Sequence, residues 1–297
     1  MARARFTGRP DPDRSTAIGL LLGLAAPVLW STSALFVKIL PFAPVPLAGL
    51  RALIAGLALL PFWRPRGLRL TPALAALVAS YTVAVGCYVS AVKLTTAANA
   101  IALQATAPAW VLGLSWLAQR RVRPILAPPV VLVLLGVAAM LAEPAAGMAG
   151  PRGQEGNGLA LVAGAAFGIF SFLLPRVPLP AAGRVALCNL GAAVALFLVS
   201  PGAFLELRPA PLEWLALAYL GAIQIGLATL CFAAAMARLS VMQASVLALL
   251  EPLLSPLWVY LAIGERPSAY GLAGGACIFA GIVADLAIRL RWPRLTG

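Results

Sequence analysis

The chain contains no histidine, and of its 297 residues only 10% are charged. The first absence removes Ser-His-Asp triads, Cys-His pairs and His-based metal sites. The second sets the class, because a soluble domain carries about 25% charged residues. Cysteine is scarce as well. Cys87, Cys188, Cys231 and Cys277 all fall within apolar runs without CxxC spacing, and read as small buried hydrophobes and not as disulfide or metal partners. No Walker motif, GxGxxG fingerprint or pair of catalytic carboxylates occurs, which leaves ATP-driven transport within this chain and nucleotide-dependent catalysis without support. No A-x-A cleavage pattern follows the first apolar run, so that run is expected to be a retained helix and not a signal peptide.

What is present is apolar: 62% of the residues are hydrophobic, and the chain reads as an all-α integral membrane protein. The formal net charge of +13 would suit nucleic acid, but the basic residues stand singly or in threes between apolar runs and no aromatic-basic RNA motif accompanies them. Lipid head groups are the expected partner, and nucleic acid is not. A bilayer core of about 30 Å needs roughly 20 apolar residues as helix. Ten runs of about that length are predicted as transmembrane helices: 17–37, 45–63, 71–92, 97–118, 125–142, 158–174, 181–200, 212–236, 241–263 and 268–289.

Charge placement orients them. With the N-terminus inside, the inner segments hold 16 Lys and Arg and the outer segments 5, with Arg51 left inside the second helix. Both termini are therefore expected in the cytoplasm.

The two halves also match. A shift of 144 residues pairs Ala84 with Ala228, Cys87 with Cys231, Ala100 with Ala244 and Pro108 with Pro252, and a shift of 140 pairs Trp30-Ser31 with Phe170-Ser171. Five helices per repeat is an odd number, so the second repeat enters the membrane upside down relative to the first, as in secondary transporters whose site lies between the halves. The expected organisation is a cytoplasmic tail 1–16, a first repeat 17–142, an external linker 143–157, a second repeat 158–289 and a cytoplasmic tail 290–297.

Particular stretches carry a family resemblance: LLEPLLSPLWVYLAIGERPSAYGLAGGACIFAGIVADL near the C-terminus, LWSTSALFVKIL in the first helix and LAGLRALIAGLALLPFW in the second. On these the chain resembles the EamA family of the drug/metabolite transporter superfamily. The resemblance implies ten helices around a central cavity lined by the fourth and eighth among others, and export or permeation of amino acids, other metabolites or drugs. It implies no cofactor, metal or catalytic residue. In one departure from symmetry, Ala107-Pro108 stands where the second repeat has Glu251-Pro252, so a single carboxylate occupies this place.

Candidate substrate-binding residues follow from polarity at depth. Glu251 lies near the middle of its run, where an ionisable group costs roughly 2.5–3.5 kcal/mol on insertion scales and must face a cavity or a partner. Pro252 beside it has no N–H to donate, so the helix is expected to break with the Ala248 carbonyl unpaired. Glu251 reads as a substrate or proton contact, or else as a protonated, packed acid. Gln104, Gln224 and Ser255 are candidates on the same ground, with interhelical hydrogen bonding as the plainer role. Among deep aromatics, Trp30, Tyr81, Tyr88, Trp110 and Phe170 could line a cavity or fill the core. Arg51 is read as structural, Trp63, Trp214 and Trp292 as interface anchors, and the Gly-x3-Gly pairs Gly19/Gly23, Gly164/Gly168 and Gly271/Gly275 as sites of close helix approach, within a monomer or between copies of a homodimer.

The functional expectation is an inner-membrane secondary transporter that exports a small organic solute by alternating access. An amino acid or related metabolite is the first choice and a lipophilic cation or drug the alternative, with proton coupling open. An integral-membrane enzyme on a lipid-linked substrate is the rival class, against which the scattered exposed acids argue.

Overall fold

The computed structural model describes residues 12–63, 69–119, 127–142, 152–239 and 247–291, and among these every regular element is helical. That follows from the solvent. Hydrocarbon offers no partner for a backbone N–H or C=O, so an apolar run that crosses it must satisfy those groups within itself. Among the described residues eight helical stretches are long and apolar enough to cross a membrane: Ser15–Ile39, Pro44–Phe62, Pro72–Leu94, Ala97–Leu117, Gly153–Arg176, Ala181–Val199, Pro211–Met236 and Ala269–Ile288. Two shorter apolar helices, Ala127–Leu141 and Leu250–Ile263, take the fifth and ninth places, which makes the ten spans expected from the sequence. Pro44, Pro72 and Pro211 sit in first turns, where a missing N–H costs nothing. Thr71 and Thr96 cap their helices by accepting from the amides of Leu74 and Asn99, each at 3.2 Å.

The packing is symmetric under exchange of the halves. The third span lies on the sixth as the eighth lies on the first; the second lies on the eighth as the seventh lies on the third; the fourth lies on the sixth as the ninth lies on the first. The pairs second–seventh, fourth–ninth and fifth–tenth map onto themselves. Each half consists of five spans, so this exchange axis runs in the membrane plane and the repeats are inverted.

Four spans are irregular. The first is interrupted at Thr32 between the helices Pro12–Ser31 and Ser33–Ile39. The fourth breaks at Ala105 and Thr106, between Ala97–Gln104 and Ala107–Gln119. In the ninth a turn at Leu249 precedes Leu250–Ile263. The eighth widens into a π-helix over Tyr219–Leu227. The fourth and ninth break at equivalent places, since Ala105 and Leu249 are 144 residues apart, the shift that relates the repeats. The ninth departs from expectation in one detail. Its turn falls at Leu249, so Pro252 and Glu251 belong to the first turn of the new helix, where proline is tolerated and a carboxylate sits favourably against the helix dipole.

The glycine pairs bring spans of one molecule together. A methyl group at Gly164 would lie 2.7 Å from Thr106 Oγ1 and 2.8 Å from the Leu103 carbonyl, and one at Gly168 would lie 2.6 Å from Trp110 Cβ. The sixth span therefore approaches the fourth along a glycine track. Gly19 and Gly23 bring the first span against Arg238, Leu239 and Leu247, and Gly271 and Gly275 bring the tenth against Asn99 and Ala102. Trp63, expected at an interface, is instead 8% exposed and packs with Leu59 and Ala186, its indole facing Gly183. Trp214 is exposed, and Trp292 lies outside the described residues.

One end of the bundle is tied by polar bonds. Lys38 Nζ pairs with Glu265 at 2.6 Å and donates to the Thr95 carbonyl at 2.7 Å, while Glu265 accepts from the Ala97 amide at 2.6 Å. Lys93 donates to the Leu40 carbonyl. Below this, Asn157 Oδ1 accepts from Thr95 Oγ1 at 2.8 Å and from Asn99 Nδ2 at 3.3 Å.

The glycine track generates a stability test. Gly164→Val forces the fourth and sixth spans apart and should cost about 1–3 kcal/mol, read as a lower midpoint of thermal unfolding in detergent, whereas Gly113→Ala, which meets nothing within 4 Å, should leave the midpoint in place. Equal midpoints for the two variants would place the contact elsewhere.

Candidate functional site

The break in the first span organises the polar interior. No glycine or proline stands at Ser31, Thr32 or Ser33; instead three hydroxyls compete with the backbone for its own acceptors. Ser31 Oγ and Thr32 Oγ1 donate to the Val28 and Leu29 carbonyls, each at 2.7 Å, and the Thr32 amide reaches Leu29 at 3.3 Å. Two carbonyls at the break then serve other helices. That of Trp30 accepts from Gln224 Nε2 at 3.3 Å, and that of Ser31 accepts from Ser255 Oγ at 2.9 Å. Trp258 Nε1 donates to Ser31 Oγ at 2.9 Å, and Thr32 Oγ1 pairs with the Tyr219 hydroxyl at 2.9 Å.

Arg51 enters the same cluster from the second span. Its side chain is 5% exposed; Nη1 donates to Ser33 Oγ at 3.0 Å and Nη2 to Gln224 Oε1 at 3.4 Å, while Nε has no partner. The π-helix explains how Gln224 meets both Arg51 and Trp30. The extra residue per turn turns Tyr219 and Gln224 toward the first span, a recurrent use of such bulges at functional sites. Glu251 stands one helical turn before Ser255, within electrostatic reach of Arg51. Among the described residues no ion pair within 4.0 Å joins Arg51 to Glu251.

The place related to this one by exchange of the repeats is aromatic and neutral. Tyr81 on the third span donates its hydroxyl to Asn189 Oδ1 on the seventh at 3.0 Å, and its ring lies 5.2 Å from that of Phe170 on the sixth. Phe170 is buried among Leu74, Leu77, Val177 and Cys188.

A match to the model of the EamA-like transporter family runs over residues 17–142 and again over 154–284, one copy for each half. The chain belongs to the EamA-like transporter family. One solved crystal structure, 24% identical, covers 93% of this chain and 98% of its own with a TM-score of 0.62, which shows the fold alone. Among curated proteins the comparison finds no match. Membership places the chain among drug and metabolite transporters of the membrane.

Of the residues singled out from sequence, the structure gathers Trp30, Gln224 and Ser255 at the first-span break, with Glu251 one helical turn before Ser255 and Tyr88 buried in the main apolar cluster within electrostatic reach of Arg51 and Glu251. Trp30 also packs on Phe232, ring centroids 5.1 Å apart. Tyr81 and Phe170 form the second group. Gln104 is half-buried at the end of the helix that stops before the fourth-span break. Trp110 stands apart from both groups, 44% exposed. Sequence reasoning read Arg51 as structural and passed over Ser31, Ser33 and Tyr219; the available signals were the single charge within the second span and the Ser-Thr-Ser run in the first. It also passed over Asp285, which borders a groove with Pro108, Pro129 and Val133 between the fourth, fifth and tenth spans, away from the Arg51 cluster.

Gln224 is the keystone of this cluster, bonded to a guanidinium on one side and a carbonyl on the other. Gln224→Leu keeps the volume and strips both bonds, so it should cost about 1–3 kcal/mol, measured as a drop in the thermal midpoint; Gln224→Glu should recover at least the Arg51 contact. An unchanged midpoint in the Leu variant would show that Gln224 is not bonded in this way.

Proposed function

We propose that the protein is a secondary transporter that moves an amino acid or related small metabolite across the inner membrane, by alternating access of its two repeats. The observation that supports this most is the buried Arg51–Ser33–Gln224 cluster with Glu251 beside it, set at a helix break where the two halves meet. Irregular backbone at membrane depth is tolerated against protein or water, and in transporters of inverted plan it marks the substrate site. The presence of both a cation and a carboxylate favours a solute bearing both signs over a lipophilic cation, which Arg51 would repel. Cytoplasmic placement of both termini accords with the 16-to-5 distribution of basic residues, and export is taken from the family resemblance.

Flux of a labelled solute panel into liposomes containing the purified chain tests the reading. Amino acids should move faster than in empty liposomes, and Glu251→Gln should lower that flux by about tenfold or more, the loss of one charge-assisted contact. Turnover of a lipid-linked substrate without flux would put the protein in the enzyme class. Orientation is tested separately: reporter fusions after Gly297 should report cytoplasm and fusions at Arg152 the opposite side, and the same compartment for both would overturn the inverted arrangement.

A further inference from the structure

The spans sort into two bodies that the exchange of repeats carries into one another. In the first body, the first span packs on the eighth and ninth and the second on the eighth; in the other, the sixth packs on the third and fourth and the seventh on the third. The hydrogen bonds of Arg51, Gln224 and Ser255 stay within the first body, and that of Tyr81 with Asn189 stays within the second. At one end, by contrast, polar bonds cross from body to body. Lys38 Nζ donates to the Thr95 carbonyl at 2.7 Å, Glu265 Oε1 accepts from the Ala97 amide at 2.6 Å, and Lys93 Nζ donates to the Leu40 carbonyl. Lys38 ends the first span and Glu265 follows the ninth, so their 2.6 Å ion pair lies within the first body. Together they present one donor and one acceptor to the turn between the third and fourth spans.

Both prongs engage half-helices that lead to breaks. Lys38 lies in the last turn of Ser33–Ile39, which begins at the first-span break, and Ala97 is the first residue of Ala97–Gln104, which stops at the fourth-span break. A cation at a helix C-terminus and a carboxylate on an N-terminal amide both suit the helix dipoles. Each half-helix is about 10 Å long, so a displacement at one end is carried to the other. The exchanged positions do not repeat the arrangement. Glu265 corresponds to Arg121, Lys93 to Ala237 and Thr95 to Leu239, each 144 residues away. We infer that Lys38 and Glu265 form a clasp between the two bodies, which holds this end shut and, having no counterpart at the exchanged positions, makes it the closed end of the resting protein. On the orientation set by the basic residues this end is external. The clasp takes its role from the transport reading, as the device that decides which side the unloaded protein faces.

The test measures the separation of the bodies in the full purified chain, with no solute added. Spin labels on Ala43→Cys, in the first body, and Arg152→Cys, in the second, sit on exposed positions at the clasped end, in a chain whose four native cysteines are replaced by alanine. Pulsed electron resonance should show one dominant short distance. Lys38→Met removes the ion pair and the bond to Thr95, and should raise the ratio of long to short distances about tenfold, the effect of one contact to a charged group. Glu265→Gln keeps an acceptor for the Ala97 amide and should shift the ratio less. The exchange of both residues, Lys38→Glu with Glu265→Lys, restores the ion pair but turns a donor to the amide and an acceptor to the carbonyl, so it should stay unclasped. In the unlabelled chain with its native cysteines, hydrogen exchange of the Ala97 amide should quicken in Lys38→Met, although neither Ala97 nor Glu265 is altered. A distance or exchange rate that Lys38→Met leaves unmoved, a fall in thermal midpoint without a second distance, or rescue by the exchanged pair overturns the clasp. The transport reading fails separately: a distance governed by Lys38 without flux of any solute leaves the clasp and removes transport, and flux with an unmoved distance does the reverse.

Discussion

A helix that breaks inside a bilayer has to find partners for the backbone groups it exposes, and in this protein the search for those partners builds the site. The first span opens at Ser31-Thr32-Ser33, and the groups that answer it come from the eighth and ninth spans: Gln224 on the Trp30 carbonyl, Ser255 on the Ser31 carbonyl, Trp258 on the Ser31 hydroxyl. Arg51 then attaches to the same assembly through Ser33 and Gln224. Because Ser31, Ser33, Arg51, Gln224 and Ser255 are all buried, each of these bonds is worth more kept than the modest net value of an exposed one, and the loss of any leaves a buried group bare. Backbone satisfaction and the proposed site therefore use the same side chains. That coupling ties the four helices into one unit that is also where a charged solute would be felt.

The pseudo-symmetry separates what the fold requires from what the site adds. The backbone follows the exchange closely: packing partners map onto one another, and the fourth and ninth spans break at matching residues. Side chains do not. Arg51 in the first repeat and Gln224 and Glu251 in the second have Val185, Ser80 and Ala107 as counterparts, 134, 144 and 144 residues away, and the exchanged position groups Tyr81, Asn189 and Phe170 around an aromatic contact. The first span breaks at Thr32, whereas its counterpart runs unbroken from Gly153 to Leu173. Symmetric backbone with divergent lining suits the proposed alternating access, in which equivalent repeats would exchange roles around one asymmetric site.

Much of the architecture was legible in the sequence, for identifiable reasons. Span number followed from run length, and the repeat from shifts that recur at Pro108/Pro252 and Cys87/Cys231. The first-span break was not legible, because its cause is a cluster of hydroxyls and not a glycine or proline; Pro27, the residue a sequence rule would choose, sits within the intact helix Pro12–Ser31. The partners of Arg51 were not legible for a related reason: Ser33 and Gln224 are 18 and 173 residues distant, and no local pattern joins them. Trp63 failed similarly: its position at a helix end suggests an interface, but the space beside Gly183 admits the indole. Local pattern located the polar residues, and only tertiary packing said which of them meet.

The tie at one end of the bundle bears on how the halves could move. Lys38, Glu265, Thr95 and Ala97 join the end of the first span to the turns between the third and fourth and between the ninth and tenth, so access to the Arg51 cluster from that end requires those bonds to part. The side chains of the pair are 15% and 21% exposed, neither dry nor fully solvated. Exposed pairs contribute about 0–1 kcal/mol, and when such a pair opens toward water its charges are rehydrated instead of stranded. The tie is thus an interaction that a binding event could outweigh, since one contact to a charged group is worth about 1.5–3 kcal/mol. The Arg51 cluster is the opposite case: its groups are buried, and parting them from one another would leave polar groups bare. Motion is therefore easiest where the polar bonds lie near solvent, and the first, second, eighth and ninth spans would move as a body around a fixed centre.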